Sequence, residues 1–142
     1  MSQNDAGIIG TWKLLSFNIE FKESLKQELP YGETPNGYLL FLPEGRMMAV
    51  ITAKERQSGT TESLQAALFR TLMAYTGRYR IEGDRFITKV DASWNEAWNG
   101  SEQERSYKID GHRLDIVSAW QPHPKMANAP VCRGILSWER SV

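Results

Sequence analysis

Tight turns between short apolar segments constrain the fold of this sequence more than any other feature. Three of these turns each separate two such segments: Pro43-Glu44-Gly45 between 38–42 and 46–52, Glu82-Gly83 between 77–81 and 84–90, and Asp110-Gly111-His112 between 103–109 and 113–120. A short glycine-containing linker between such segments favours an antiparallel hairpin. Successive hairpins predict an antiparallel meander, and a long meander tends to close into a barrel because closure removes its unpaired edges.

Two further strands are predicted near the ends of the chain. Residues 10–21 alternate between apolar and polar side chains, as a half-buried strand does. The alternation places four apolar residues on one face: Leu15, Phe17, Ile19 and Phe21. Residues 131–140 form the last predicted strand. We therefore expect a mainly β protein, an antiparallel meander of about eight strands closed into a barrel.

One segment changes its apolar period from two residues to three or four. Its apolar residues include Leu64, Leu68, Leu72 and Tyr75, and this spacing predicts an amphipathic helix over about 60–75. Thr60 or Thr61 is the expected N-cap, and Gly77 the expected end. We expect the helix to be inserted into a single domain over 1–142, with 1–8 as a loose N-terminal tail.

Charge and cysteine content exclude several functional classes. Lys and Arg number 17, as do Asp and Glu, so the formal net charge is zero and gives no argument for binding nucleic acid or an anionic membrane. Cys132 is the one cysteine, and neither histidine has a metal-binding partner at suitable spacing. The sequence predicts no metal, no cofactor and, because it begins without a signal peptide pattern, a cytoplasmic location.

Five segments together resemble one known family. They are Gly10-Thr11-Trp12-Lys13-Leu14, the phrase from Gly37 to Ala49, the segment from Ala74 to Asp84, the segment from Val90 to Ile116, and Leu136-Ser137-Trp138-Glu139-Arg140. The chain is similar to the lipocalin-like domain family of bacterial and fungal proteins, most of which have no assigned activity. The resemblance implies a lipocalin-like barrel and, as a lead, small organic ligands.

The resemblance also implies a structural contact between two residues, and at two other positions this chain differs from the family. Trp12 and Arg140 resemble the first-strand Trp and last-strand Arg that close one barrel end in classical lipocalins, where a cation lies over an indole ring. The family often has a His pair just before the position of Val90, where this chain has Thr88 and Lys89. An activity that requires this pair is therefore not carried over.

The most informative candidate for a binding residue is Arg105. Alternation along 103–109 places it on the more apolar face with Gln103, Tyr107 and Ile109, which we expect to face inward. A buried Arg needs a partner because burial of a lone charge is costly. That partner is either the carboxylate or carbonyl of a ligand, or an acidic residue across the barrel.

Other candidates follow from similar patterns. Ser118 and Trp120 end an apolar stripe on 113–120, Arg46 and Met48 form a stripe with Val50, and Trp94 and Trp98 either cover the barrel mouth or pin a loop outside it. The predicted ligand-binding residues are Arg46, Met48, Tyr79, Trp94, Trp98, Gln103, Arg105, Tyr107, Ser118 and Trp120.

Three functions fit the sequence. The first is binding of a small hydrophobic or amphipathic metabolite in the barrel interior, without catalysis. The second is an isomerase- or cyclase-type enzyme that uses Tyr79, Tyr107 and Arg105 on a small organic substrate. The third is a filled barrel that acts as an oligomerisation module, for example as a homodimer. An interior cavity on the Arg105 face distinguishes the first from the third.

Overall fold

A computed structural model describes residues 7–123, 126 and 128–141 of the chain. The strands are β1 (Gly10–Phe21), β2 (Gln27–Glu28), β3 (Asn36–Phe41), β4 (Arg46–Thr52), β5 (Leu72–Glu82), β6 (Arg85–Ser93), β7 (Glu102–Asp110), β8 (Arg113–Ser118), β9 (Gln121–Pro122) and β10 (Val131–Arg140). Helix α1 (Glu62–Arg70) lies between β4 and β5, and a 3-10 helix (Glu96–Trp98) lies between β6 and β7.

Eight antiparallel strands close into a barrel, as the sequence predicts. Their order is β1-β3-β4-β5-β6-β7-β8-β10, and β10 pairs again with β1 from Trp12 opposite Arg140 to Phe21 opposite Cys132. The two-residue strands β2 and β9 are added beside β1 and β10. All three predicted hairpins are present.

A β-bulge in β1 changes which residues face the interior. The register with β10 shifts between Leu14 and Ser16, so Trp12 and Leu14 point inward before the bulge and Phe17 and Ile19 after it. The prediction that Leu15 shares the inward face is wrong, because the bulge inserts one residue and leaves Leu15 exposed.

The helix is shorter than predicted. It begins after Thr61, whose Oγ1 accepts a hydrogen bond from the backbone N–H of Leu64 at 3.3 Å, and it ends at Arg70. From Leu72 onward the chain pairs with β4 and belongs to β5. The prediction of a helix through Tyr75 is wrong because this pairing and the burial of Tyr75 in the barrel override the local helical spacing.

The apolar strand β4 buries the opposite face from the one predicted. Met47, Ala49 and Ile51 face the interior, whereas Met48 and Val50 are each 43% exposed. The prediction of an inward stripe through Arg46 and Met48 is therefore wrong. A strand that is apolar on both faces does not specify its own register, and here the hairpin with β3 sets it.

Trp12 and Arg140 mark one end of the barrel, which we call the closed end. The guanidinium carbon of Arg140 lies 4.1 Å from the centre of the Trp12 ring, and its two terminal nitrogens donate to the carbonyls of Ile9 and Gly7. Ile8 is fully buried, so residues 7 and 8 pack against the barrel rather than forming a loose tail, while the rest of the predicted tail, 1–6, lies outside the described residues.

Within the described part of the chain, no helix has the length and apolar character needed to cross a bilayer.

Candidate functional site

A cavity of about 320 Å³ occupies the barrel interior. It lies towards the end away from Trp12 and Arg140, which we call the open end. Its apolar lining includes six aromatic residues and seven aliphatic ones: Phe17, Tyr31, Tyr75, Phe86, Trp98, Trp138, Ile19, Leu39, Ala49, Ile51, Met73, Ile116 and Leu136. Such a lining suits the apolar part of a small organic molecule.

Small side chains make room for this cavity between the large aromatic rings. Ser118 lies opposite Arg105 on neighbouring strands β8 and β7, and its Oγ accepts a hydrogen bond from the backbone N–H of Gly134 at 2.7 Å. Ala49 contributes only a methyl group from β4. These three positions line the cavity and leave space that longer side chains would fill.

Among the described residues, Arg105 is the one arginine that is buried. It is 7% exposed and lines the cavity. Its Nη1 donates to the Glu104 carbonyl at 3.0 Å, while Nε and Nη2 donate to no atom of the described residues. Within that same part of the chain, no Asp or Glu oxygen lies within 4.0 Å of its guanidinium. The internal acidic partner that the sequence left open is therefore not found among these residues.

Trp98 forms the wall beside Arg105. The guanidinium carbon of Arg105 lies 5.8 Å from the Trp98 ring centre, within cation–π range. Tyr75 packs edge to face on Trp98 with ring centres 5.2 Å apart, and Trp94 does so at 5.0 Å. Trp98 and Tyr75 line the cavity, whereas Trp94 supports Trp98 and does not line it.

Trp138 lines the cavity, but its indole nitrogen is enclosed within the barrel wall. The residue is buried and lines the cavity, and its indole Nε1 has no hydrogen-bond partner among the described residues. Thr88, at one of the positions where the family often has His, faces the core but does not line the cavity. Its Oγ1 likewise has no hydrogen-bond partner among the described residues.

Several predicted site residues lie inside the barrel but away from the cavity. Gln103 is buried, and its amide donates to Ser101 Oγ at 2.9 Å. Tyr79 packs edge to face on Phe41 and donates its hydroxyl to the Leu42 carbonyl at 3.1 Å. Tyr107 packs against Phe86 with ring centres 6.0 Å apart. None of the three predicted residues lines the cavity.

The remaining predicted residues lie outside the cavity as well. Arg46 makes two hydrogen bonds to the Asp91 carboxylate, at 3.0 and 2.9 Å, and this contact lowers the pKa of Asp91. Met48 is exposed on the outer face of β4. Trp120 lies under the guanidinium of Arg133, 4.4 Å from its carbon. Of the ten predicted binding residues, the structure brings Trp98, Arg105 and Ser118 to the cavity.

Tyr31 and Cys132 line the cavity without having been predicted from the sequence. Tyr31 lies in the loop between β2 and β3 and packs edge to face on Phe17 at 5.3 Å. Burial raises the pKa of Tyr31 to about 12, against a smaller opposite effect of Arg56, so its hydroxyl stays protonated at neutral pH. Burial also raises the pKa of the Cys132 thiol. The turn residues around Tyr31 indicated a loop and gave no signal of its burial.

Polar side chains surround the open end of the cavity. They are Glu28, Arg70, Gln121, His123 and Arg133. Arg133 pairs with Glu20 at 2.7 Å, and the ring of His123 stacks on Phe21 with centres 6.4 Å apart. Among the described residues, no group of three or more His, Cys, Asp or Glu side chains is arranged to hold a metal ion. The site thus combines an apolar interior, one buried cation and a polar rim.

Comparisons with known proteins identify a family and similar solved structures. The model of a family described as a lipocalin-like domain matches residues 9–141. No match is found among curated proteins. The crystal structure of an uncharacterized protein from Bacteroides eggerthii is similar, with a TM-score of 0.48 and 12% sequence identity, over 94% of this chain and 99% of that one.

Proposed function

Because the chain belongs to the lipocalin-like domain family, we propose that it binds one small, mainly apolar organic molecule inside the barrel. The observation that carries this proposal is the cavity of about 320 Å³ lined by aromatic and aliphatic side chains. Small-molecule pockets span roughly 300–1,000 Å³, so this cavity suits a compact ligand rather than a long acyl chain.

The chemistry of the lining supports binding over acid–base catalysis. Tyr79 and Tyr107, the tyrosines that the enzyme hypothesis requires, do not line the cavity. Tyr31 does, but its raised pKa makes its hydroxyl a hydrogen-bond donor rather than a base at neutral pH. Glu28, at the rim, is the one carboxylate that lines the cavity among the described residues. A ligand held without chemical change fits this lining better.

The cavity also supports binding over the filled-barrel hypothesis. An eight-stranded barrel is just wide enough either to be filled by its own side chains or to hold one small ligand. Here Ala49, Ser118 and Gly134 leave the space open.

A cavity-filling variant tests the proposal. Ala49→Met places a longer apolar side chain in the cavity, whereas Val50→Met, the matched control, changes the exposed neighbour on the outer face of β4. Each protein is purified from the source cells and examined by native mass spectrometry, with thermal melting as a check of folding. We expect a small organic molecule at up to one per chain with the wild type and Val50→Met, and its loss with Ala49→Met.

Two results contradict the proposal. One is the same molecule at equal occupancy in folded Ala49→Met, which would place it outside the cavity. The other is wild-type protein that carries no small molecule from its own cells and takes up none from their metabolite extract.

A further inference from the structure

We propose that the ligand of this barrel is a monocarboxylic acid with a flat apolar body, and that Arg105 binds its carboxylate. The inference rests on the proposed function, because it names the class of ligand for the same cavity. It is carried by the guanidinium of Arg105, which is buried in the cavity wall and has two nitrogens without a partner among the described residues.

Two contacts hold this guanidinium in place. Nη1 donates to the Glu104 carbonyl at 3.0 Å, and the Trp98 ring lies 5.8 Å away. Both contacts leave the edge formed by Nε and Nη2 available. An arginine edge with two parallel N–H donors matches the two oxygens of a carboxylate, and the pair is stronger than a neutral hydrogen bond.

The charge balance around Arg105 differs from that of the arginines that form ion pairs. Arg46, Arg80, Arg85 and Arg113 all have a carboxylate partner within 3.1 Å at the protein surface. Arg105 is more deeply buried, where an unpaired charge is costly. A bound anion would supply the missing partner and restore this balance.

The nearest acidic residue in sequence cannot serve as that partner. Glu104 precedes Arg105 on β7, so its side chain points to the outer face of the sheet. There its carboxylate pairs with Arg85 at 2.7 Å. Because Arg105 is the one buried cation among the described residues, we expect one negative charge on the ligand.

The surroundings of Arg105 indicate the rest of the ligand. Trp98, Tyr75 and Phe86 present aromatic surfaces to the same cavity, and Ser118 lies directly opposite Arg105 on β8. Aromatic walls favour a flat apolar body through stacking and edge-to-face contacts. The Ser118 hydroxyl already donates to the Ala119 carbonyl at 3.3 Å and accepts from the Gly134 N–H at 2.7 Å, so the contact with the carboxylate falls to Arg105.

A pair of ligands that differ only in charge tests the inference. The probes are 2-naphthoate and 2-naphthamide, titrated calorimetrically at neutral pH into the full chain. We expect the wild type to bind 2-naphthoate at least about tenfold more tightly than 2-naphthamide, because a charge-assisted contact is made only with the acid.

Substitutions then assign this preference to Arg105. Arg105→Met should bind both probes about equally, with little change for the amide. Arg105→Lys keeps the charge but loses the paired donors, so it should retain only part of the preference. Arg85→Met, the matched control, removes a guanidinium from the outer face and should leave the preference unchanged.

Thermal melting without ligand gives an independent readout. If Arg105 is held for a ligand, Arg105→Met should melt at the same temperature as the wild type or higher, because it removes an unpaired buried charge. A marked fall in melting temperature would show that Arg105 is held for the stability of the barrel rather than for a ligand, and would overturn the inference.

The titrations separate the two proposals. Equal binding of both probes to the wild type, or an unchanged preference in Arg105→Met, would overturn the carboxylate inference and leave the proposed function standing. Failure of both probes to bind the wild type would count against both proposals.

Discussion

At the scale of single residues, Arg140 joins the last strand to the N-terminal segment at the closed end. Its guanidinium covers Trp12 and donates to the carbonyls of Ile9 and Gly7. We expect Arg140→Ala to lower the free energy of unfolding by about 2 kcal/mol in urea titrations, from the lost cation–π contact and hydrogen bonds. Arg80→Ala, which removes an exposed ion pair, should have a much smaller effect. An equal fall in the free energy of unfolding for the two variants would show that the contacts of Arg140 stabilise the fold no more than an exposed ion pair does.

The raised pKa of Tyr31 makes the free energy of unfolding depend on pH in the alkaline range. Its pKa is raised to about 12 by burial, above the value of about 10 in an unfolded chain. A raised acid pKa stabilises the fold fully below pH 10, and this contribution is lost as pH rises towards 12. Relative to Tyr31→Phe, the wild type should lose about 2–3 kcal/mol of unfolding free energy across that interval. If the free energy of unfolding fell equally with pH in the wild type and Tyr31→Phe, the ionisation of Tyr31 would not cost the folded state any stability.

At the scale of elements, helix α1 depends on its cap more than on the core. None of its residues is buried, Thr61 caps its first turn, and Arg56 donates to the Leu68 carbonyl near its end. Loss of such a cap costs about 1 kcal/mol. We expect Thr61→Ala to speed amide hydrogen exchange in 64–68 while the global unfolding midpoint stays nearly constant. A large drop in that midpoint would mean that the helix unfolds with the barrel.

The irregular pairing of β5 with β6 requires glycine at position 77. The register shifts between Thr76 and Gly77, and a Cβ at Gly77 would overlap the backbone of Lys89 and Val90. We expect Gly77→Ala to lower the free energy of unfolding by about 3 kcal/mol, from steric overpacking. Gly134→Ala is the matched control, because its Cβ would lie at ordinary contact distances of 3.4–3.7 Å. Similar losses for the two variants would contradict this account.

At the scale of the whole molecule, the sequence predicted the barrel because turns and hairpins are local features. The three glycine-containing turns determine which strands are neighbours, and the match to the lipocalin-like domain over 9–141 confirms the resemblance found from the residues. The Trp12–Arg140 contact is present because closure pairs the first strand with the last.

The cavity was less predictable, because it depends on register and on contacts between distant segments. Met48 was placed on the inward stripe of β4, whereas Met47 occupies the interior, since either face of β4 is apolar enough to be buried. Tyr75 was assigned to a helix, and Tyr31 reaches the interior from a loop. The inward orientation of Arg105 and Ser118 was predictable because their strands alternate clearly and pair in a regular hairpin.

The most direct test of the central claim is a crystal structure of the chain with 2-naphthoate bound. The account predicts the naphthyl ring inside the barrel, between Trp98 and Phe86, with the carboxylate within hydrogen-bond distance of Nε and Nη2 of Arg105. A barrel interior without the ligand at saturating concentration, or 2-naphthoate bound only on the outer surface, would contradict it.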